Sequence, residues 1–497
     1  MKPMFGLLLF LTCAFGANLS AQDNDLATLG DGGLHFRTDD DAFELQLFTA
    51  TQFRLTWHDT RAQGSQSGQG QNGADFINFS LPAVRSFIHG HIFAPEFQYS
   101  LWLVFNWPNQ PAIRLEDAFF RWAPTPLFNL TVGQMRVPAT WAYQVDHEKM
   151  VMADRDIADE AFNQGWGKGI EVSGRATLYG NDDDPALLRW NVGLFNGALA
   201  SPNGNQGRGA LITSGGASQG VSVTDMAGTN HYNGGFRNSD WKVNPETFGQ
   251  LVDQEMMIAA RIEFHPMGEV RRHVADMENN EDSAVWKVMI GMAASYFTAR
   301  VSGVGTFLGN VYHADTNPGT PSSGSGRPPV EADIFHATMD GHFRWLGLAV
   351  NWALHLRTVK FTAHGSLRNL NLDEERYAVQ GTTDVGASVD VNYFVLRDQL
   401  NIAARFAWVN FDEFRSRQLG TGTRVDSDAF GADGWEYGGG ATWFIHGDNL
   451  KLSLDYRYVV QQLPHGAGHG KAALDGIERS SDYLTFQEIR LQLQWIF

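Results

Sequence analysis

The chain has 497 residues, 55 acidic against 37 basic side chains for a formal net charge of −18, and one cysteine. That balance excludes a nucleic-acid-binding surface, which needs a basic face against phosphate. Past residue 22 no apolar run approaches the roughly eighteen residues of a membrane helix, so a helical membrane protein is excluded as well. The 53 Gly, 15 Trp, 34 Phe and 12 Tyr are instead the glycine-rich, aromatic-rich composition of an exported β protein.

The chain opens with Lys2, an apolar run from Phe5 to Phe15, and Leu19-Ser20-Ala21, a small-residue cleavage site. This pattern predicts a secretory signal peptide over residues 1–21. Cleavage there removes Cys13, so the mature chain carries neither thiol nor disulfide. Export without such staples requires a large core or a closed sheet. Residues 22–43 are expected to form an N-terminal periplasmic segment, and 44–497 a single domain, because no Pro-rich or charged linker divides them.

From Glu44 onward apolar side chains recur at every second residue. Leu45, Leu47, Phe53, Leu55 and Trp57 alternate with Gln46, Gln52, Arg54 and Thr56. The pattern returns at Phe97–Phe105, Ile170–Leu178, Leu188–Leu194, Trp286–Met292, Leu346–Leu354, Leu400–Trp408, Leu450–Tyr458 and Ile489–Phe497. With weaker runs, these make about sixteen strands of roughly ten residues, the length a tilted strand needs to cross a bilayer. The connections alternate between tight (Ala94-Pro95-Glu96, Arg397-Asp398, His446 to Asn449) and long (58–83, 135–168, 197–254, 298–332, 357–384, 410–434 and 461–486). A soluble sandwich can show the same binary pattern. The loop alternation, the even count and aromatic strand ends such as Trp57, Trp408 and Trp495 predict an all-β fold instead. The expected architecture is a 16-stranded antiparallel transmembrane β-barrel in the bacterial outer membrane, with short periplasmic turns and long extracellular loops. Two connections break the rule: 107–112 is short on the long side, and the acidic stretch 266–285 is long on the turn side.

If the apolar face meets lipid, the other face lines the lumen. In this frame it carries Arg54, Arg85, Arg114, Arg175, Arg189, Arg261 and Arg405, with fewer acids, so the wall is basic although the chain is acidic. Arginine suits a pore that attracts anions, because it keeps its charge and pairs with phosphate or carboxylate. The alternative is that opposite charges on neighbouring strands pair and hold the lumen in shape.

Residues 130–156, LTVGQMRVPATWAYQVDHEKMVMADRD, mix charges densely. His147-Glu148 begins like the zinc pattern H-E-x-x-H, but Val151 stands where the second His is needed. Gly165-Trp166-Gly167-Lys168-Gly169 lacks the Ser/Thr and the following helix of a phosphate loop. His89 with His91, and His465 with His469, lack a nearby third metal ligand. No G-x-S-x-G marks a hydrolase, so no catalytic residue, metal or cofactor is expected.

Counted along the strands, 135–168 is the third long loop. The segments DAFFRW, LFNLTVGQMRVPATW and MVMADRDIADEAFNQGWGKGIEVSG, with the terminal IRLQLQWIF, resemble the phosphate-selective porin O and P family. That resemblance implies a homotrimeric sixteen-stranded porin whose third loop folds inward as a constriction, with pore arginines and mouth lysines guiding anions. Val132 to Pro138 fits the family turn, and Asp154-Arg155-Asp156 the charged segment after it. Where the family often shows R-R-x-R in the second strand, this chain has Pro82-Ala83-Val84-Arg85. The constriction is therefore assigned to Arg85, Arg136, Lys149 and Arg155, and the approach to Lys168 and the wall arginines. The expected activity is passive diffusion of small hydrophilic solutes, weakly favouring anions such as phosphate. The competing expectation is a plugged barrel that serves as a receptor or scaffold.

Overall fold

A computed structural model describes residues 27–30, 33–63, 75–105, 114–162, 165–180, 185–195, 222–224, 230–233, 252–254, 256–277, 286–301, 330–361, 382–410, 415–417, 426–428, 434–462 and 483–497. Residues 1–21, expected to be a leader, and most of the long loops, 197–254 among them, lie outside the described residues apart from short strand pieces. Sixteen strands form the wall. The first half comprises β1 (Phe43–Gln63), β2 (Asp75–Ile92), β3 (Ala94–Val104), β4 (Arg114–Thr125), β5 (Phe128–Arg136), β6 (Trp166–Tyr179), β7 (Ala186–Phe195) and β8 (Met257–His265). The second comprises β9 (Lys287–Val301), β10 (Val330–Trp345), β11 (Leu348–Phe361), β12 (Thr382–Leu396), β13 (Leu400–Asn410), β14 (Gly434–His446), β15 (Leu450–Gln462) and β16 (Tyr483–Ile496).

Each strand pairs antiparallel with the next, and β16 returns to β1 in register from Tyr483↔Gln63 to Ile496↔Ala50. Closure leaves no sheet edge, which a bilayer demands because lipid offers backbone N–H and C=O groups no partners. The terminal Phe497 completes the seam, its carbonyl accepting from Thr49 N (2.7 Å) and its amide donating to Thr49 O (3.1 Å). Below the seam the short strand Gly33–Arg37 continues the ladder along β1, pairing Leu34 with Leu47. The tight turns sit at the periplasmic rim. At Trp345-Leu346-Gly347-Leu348 both central residues have positive φ (48° and 84°), the conformation that matches strand twist in a two-residue hairpin.

The alternation sorts the faces as expected. Val132, Ile170, Val192, Ile262, Met292, Met339, Leu354, Ile402, Leu454 and Leu491 are exposed on the outside, forming a continuous apolar belt. Arg54, Arg357, Glu436, Asp455, Arg457 and Arg490 are buried inside. Many inner charges are register partners on adjacent strands: Arg357 with Asp384, Arg405 with Asp390, and Arg490 with Asp455.

The lumen contains an apolar core of its own. Trp141, Val145 and Met150–Met152 of the third loop pack against Val270, Val274 and Ala275 of the β8–β9 connection. Met289, Phe394 and Phe444 close the cluster from the wall. The long connection on the turn side thus folds back into the barrel to cover the loop's apolar face, and Val274 N donates to Lys149 O (3.4 Å). The loop proper spans 137–165, because Met135 and Arg136 finish β5 and Trp166–Lys168 begin β6.

Leu354 lies near mid-height on the lipid face, half exposed. Leu354→Arg should destabilise the barrel in lipid vesicles by about 2–4 kcal/mol in urea titration, the depth-dependent cost of a midplane cation, whereas Leu354→Val should change it little.

Candidate functional site

The third loop is built from short pieces. Thr140 caps helix α1 (Trp141–Gln144), its Oγ1 accepting from Tyr143 N (3.2 Å) while donating to Asp159 Oδ1 (2.6 Å). A single 3-10 turn covers His147–Lys149. Asp156 Oδ1 accepts from Ala158 N and Asp159 N, both at 2.8 Å, to start helix α2 (Ile157–Phe162). Segments this short have no stability of their own, so the wall must hold them.

It does so with charge. Wall carboxylates accept loop amides: Asp340 from Trp141 N (2.9 Å), Asp455 from Ala153 N (2.7 Å) and Glu436 from Ile157 N (2.8 Å). Wall cations donate to loop carbonyls: Arg261 to Ala139 O (2.7 Å), Arg405 to Asp154 O (2.8 Å) and Lys451 to Met150 O (2.9 Å). Asp154 reaches the next two strands, β16 and β1, accepting from Arg490 (2.6 Å) and Arg54 (2.9 and 3.0 Å). Phe162 stacks on His355 (5.0 Å between ring centroids) beneath Arg357. A Cβ at Gly386 would stand 2.5 Å from the Phe162 ring, so only glycine lets α2 approach β12.

These contacts divide the arginines expected in the pore. Arg54, Arg261 and Arg405 are buried in ion pairs with Asp154, Asp340 and Asp390. Arg85 is held by Glu148 (3.0 Å) and Glu116 (3.4 Å). Arg155 turns inward on its own loop, donating to the carbonyls of Ala142 and Val145 and lying 4.9 Å from the Tyr143 ring. All five fasten the loop or the wall, because a buried guanidinium must be paired and hydrogen-bonded. Arg136 pairs with Asp146 (3.0 Å) between the rings of Trp102 (5.2 Å) and Trp166 (5.3 Å). Lys149 is partly exposed, 3.8 Å from Asp146, and Lys168 is half-buried on β6. Arg175 and Arg189 converge on Glu269 of the β8–β9 connection. The side chain of Arg114 lies outside the described residues.

Because the loop lies against β10–β16, β1 and β2, open space remains along β3–β8. A cavity of about 780 Å³ runs there from Arg136 and Asp146 down to the periplasmic turn at Pro124–Pro126. Trp102, Asp117, Phe119, Arg121, Glu171, Arg175, Arg189 and Asn191 line it. Arg121 and Asp117 escaped the sequence reading, although the alternation of DAFFRW places them opposite the lipid-facing Phe120 and Trp122.

The loop acids titrate in opposite directions. Burial alone would raise Asp154, but Arg54, Arg490 and Arg457 outweigh it and hold the carboxyl far below the usual range. Its anchoring is therefore present above the ordinary carboxylate range and is lost only in strong acid. Burial, reinforced by their acidic neighbours, raises Asp156 and Asp159. A raised carboxyl stabilises the fold fully below its unfolded value, about 4, and less as pH rises through its folded one. Protease resistance of α2 should thus be greater at pH 5 than at pH 8, and Asp159→Asn should flatten that difference. Asp154→Asn leaves Arg54 and Arg490 short of an anion and should cost about 3 kcal/mol, seen as faster tryptic cleavage within the loop.

The closed wall, apolar belt and inward loop define a bacterial outer-membrane β-barrel. Neither a protein-family model nor a curated protein matches the chain. Among solved structures, the outer membrane channel DcaP of Acinetobacter baumannii is similar at 9% identity and TM-score 0.45, over 93% of this chain and 99% of that one. A loop-deletion mutant of OmpT, an outer membrane protein of Vibrio cholerae, gives 9%, TM-score 0.44, 92% and 100%. An anion-selective porin from Comamonas acidovorans gives 7%, TM-score 0.43, 91% and 99%. At such distances the functional reading rests on this chain's own residues.

Proposed function

We propose that the protein is a diffusion porin for small hydrophilic solutes, with a weak preference for anions, phosphate among them. The observation that carries this reading is the cavity along β3–β8, which the third loop leaves beside a wall of arginines. Transport is passive and involves no chemical turnover. Six arginines line that cavity against four carboxylates, so the local potential favours anions although the whole chain is acidic. Arg136 and Lys149 stand at its loop side; Arg175 and Arg189 stand near its periplasmic turns. Arg85 and Arg155 act one step back, by fixing the loop that sets the width. Weak, multi-site attraction suits a conductor, because a solute must also leave. Assembly as a homotrimer, which the family resemblance implies, fits a shallow lipid-side groove in which Ala260, Ala294 and Ala337 share one cross-strand row.

A second reading, a plugged barrel that binds a partner through its outer loops, draws on the apolar core inside the lumen. Planar-bilayer recording separates the two. A porin gives stable single-channel steps whose reversal potential in a salt gradient favours chloride over potassium, and Arg175→Ala with Arg189→Ala should lower that preference severalfold. Folded protein that gives no steps would support the plugged barrel.

A further inference from the structure

We infer that the β3–β8 cavity holds a subsite for a planar carboxylate: a flat unsaturated or aromatic body bearing one anionic group, with Arg121 as the cation that binds it. This deepens the porin reading and rests on it for transport, but not for binding.

Arg121 differs from the other wall arginines. Arg54, Arg85, Arg261, Arg357, Arg405 and Arg490 each meet a carboxylate at 3.4 Å or less. Arg121 Nε donates to Thr131 Oγ1 (3.1 Å), and no carboxylate among the described residues comes within ion-pairing distance of it. The two nearest acids are turned elsewhere, Asp117 accepting from Trp166 Nε1 (2.7 Å) and Glu171 from Asn191 Nδ2 (3.0 Å). Thr131 therefore orients the guanidinium and leaves its terminal nitrogens to accept a ligand with the fork geometry of a carboxylate.

The surroundings choose the ligand's body. The Arg121 guanidinium lies 5.2 Å from the Phe119 ring centre, and Phe119 shares the cavity lining with Trp102. Trp102 continues an inward aromatic row, meeting Phe87 edge-to-face at 4.7 Å, and Phe87 stacks on Phe48 at 4.5 Å. Half-buried aromatic faces in a water-filled lumen gain by covering themselves with a flat apolar solute, and the adjacent cation neutralises its acid group. Inorganic phosphate would use Arg121 and leave the rings bare. A saturated, puckered carboxylate would pair with Arg121 but stack poorly.

Benzoate and cyclohexanecarboxylate, equal in charge and close in size, are the probes. In planar bilayers benzoate should reduce single-channel current at concentrations about tenfold lower than cyclohexanecarboxylate or phosphate. Arg121→Ala should weaken that block about tenfold, the loss of a charge-assisted hydrogen-bonded pair, and Phe119→Leu should abolish the preference for the flat ring. In parallel, saturation-transfer NMR on the detergent-solubilised protein should show a benzoate signal that Arg121→Ala removes. Equal block by both carboxylates, or block unchanged in Arg121→Ala, would overturn the subsite and leave the porin standing. A benzoate NMR signal that disappears in Arg121→Ala, with no channel current from either protein, would keep the subsite and reject the porin.

Discussion

A guanidinium taken out of water needs an anion or a carbonyl, and most of this barrel's interior follows from that requirement. Wall carboxylates pair with Arg261, Arg357, Arg405 and Arg490 but leave donors of these guanidinium groups to be filled from the loop. Arg54 and Arg490 find Asp154, Arg85 finds Glu148, and Arg261, Arg357 and Arg405 find loop carbonyls. The third loop is the missing acceptor set, folded inward because its pairing with the wall is stronger than its hydration outside. Its net acidity, at first sight at odds with an anion pathway, is the counterpart of the wall's basicity.

Charge alone would leave the loop's apolar side in water, and here the β8–β9 connection matters. Trp141, Val145 and Met150–Met152 meet Met289, Phe394 and Phe444 of the wall on one side, and Val270, Val274 and Ala275 supply the rest of the cover from the periplasmic end. The two insertions are halves of one small core inside a barrel whose other apolar surface faces lipid. The loop is therefore held twice over, by ion pairs along its edges and by burial beneath. Fixed to one side, it leaves the open cavity off-axis along β3–β8.

The barrel was legible in the sequence because period-two alternation and loop length are local signals that lipid enforces without exception. The count of sixteen and the facing of residues such as Arg54, Phe53, Leu454 and Asp455 follow from them directly. What could not be read was pairing. Arg155 and Arg175 are the same residue type, yet one clips loop carbonyls while the other faces the cavity. That difference is set by which strand the loop crosses, a long-range fact. The length of 266–285 was visible as an irregularity, but its partner, the apolar side of the third loop, lies more than a hundred residues away.

Selectivity in such a lumen is decided by which charges remain unspent after the architecture is held. Arg54 and Arg490 are strong cations committed to Asp154, so a passing anion would have to displace a partner to use them, and the loop would move with it. Arg121, Arg175, Arg189 and Lys149 can meet a solute at smaller structural cost, since their own contacts are single, exposed or shared. The basic character of a pore is therefore poorly measured by its inventory of arginines. It is measured by the few whose pairing is incomplete, and here those line the side the loop leaves open.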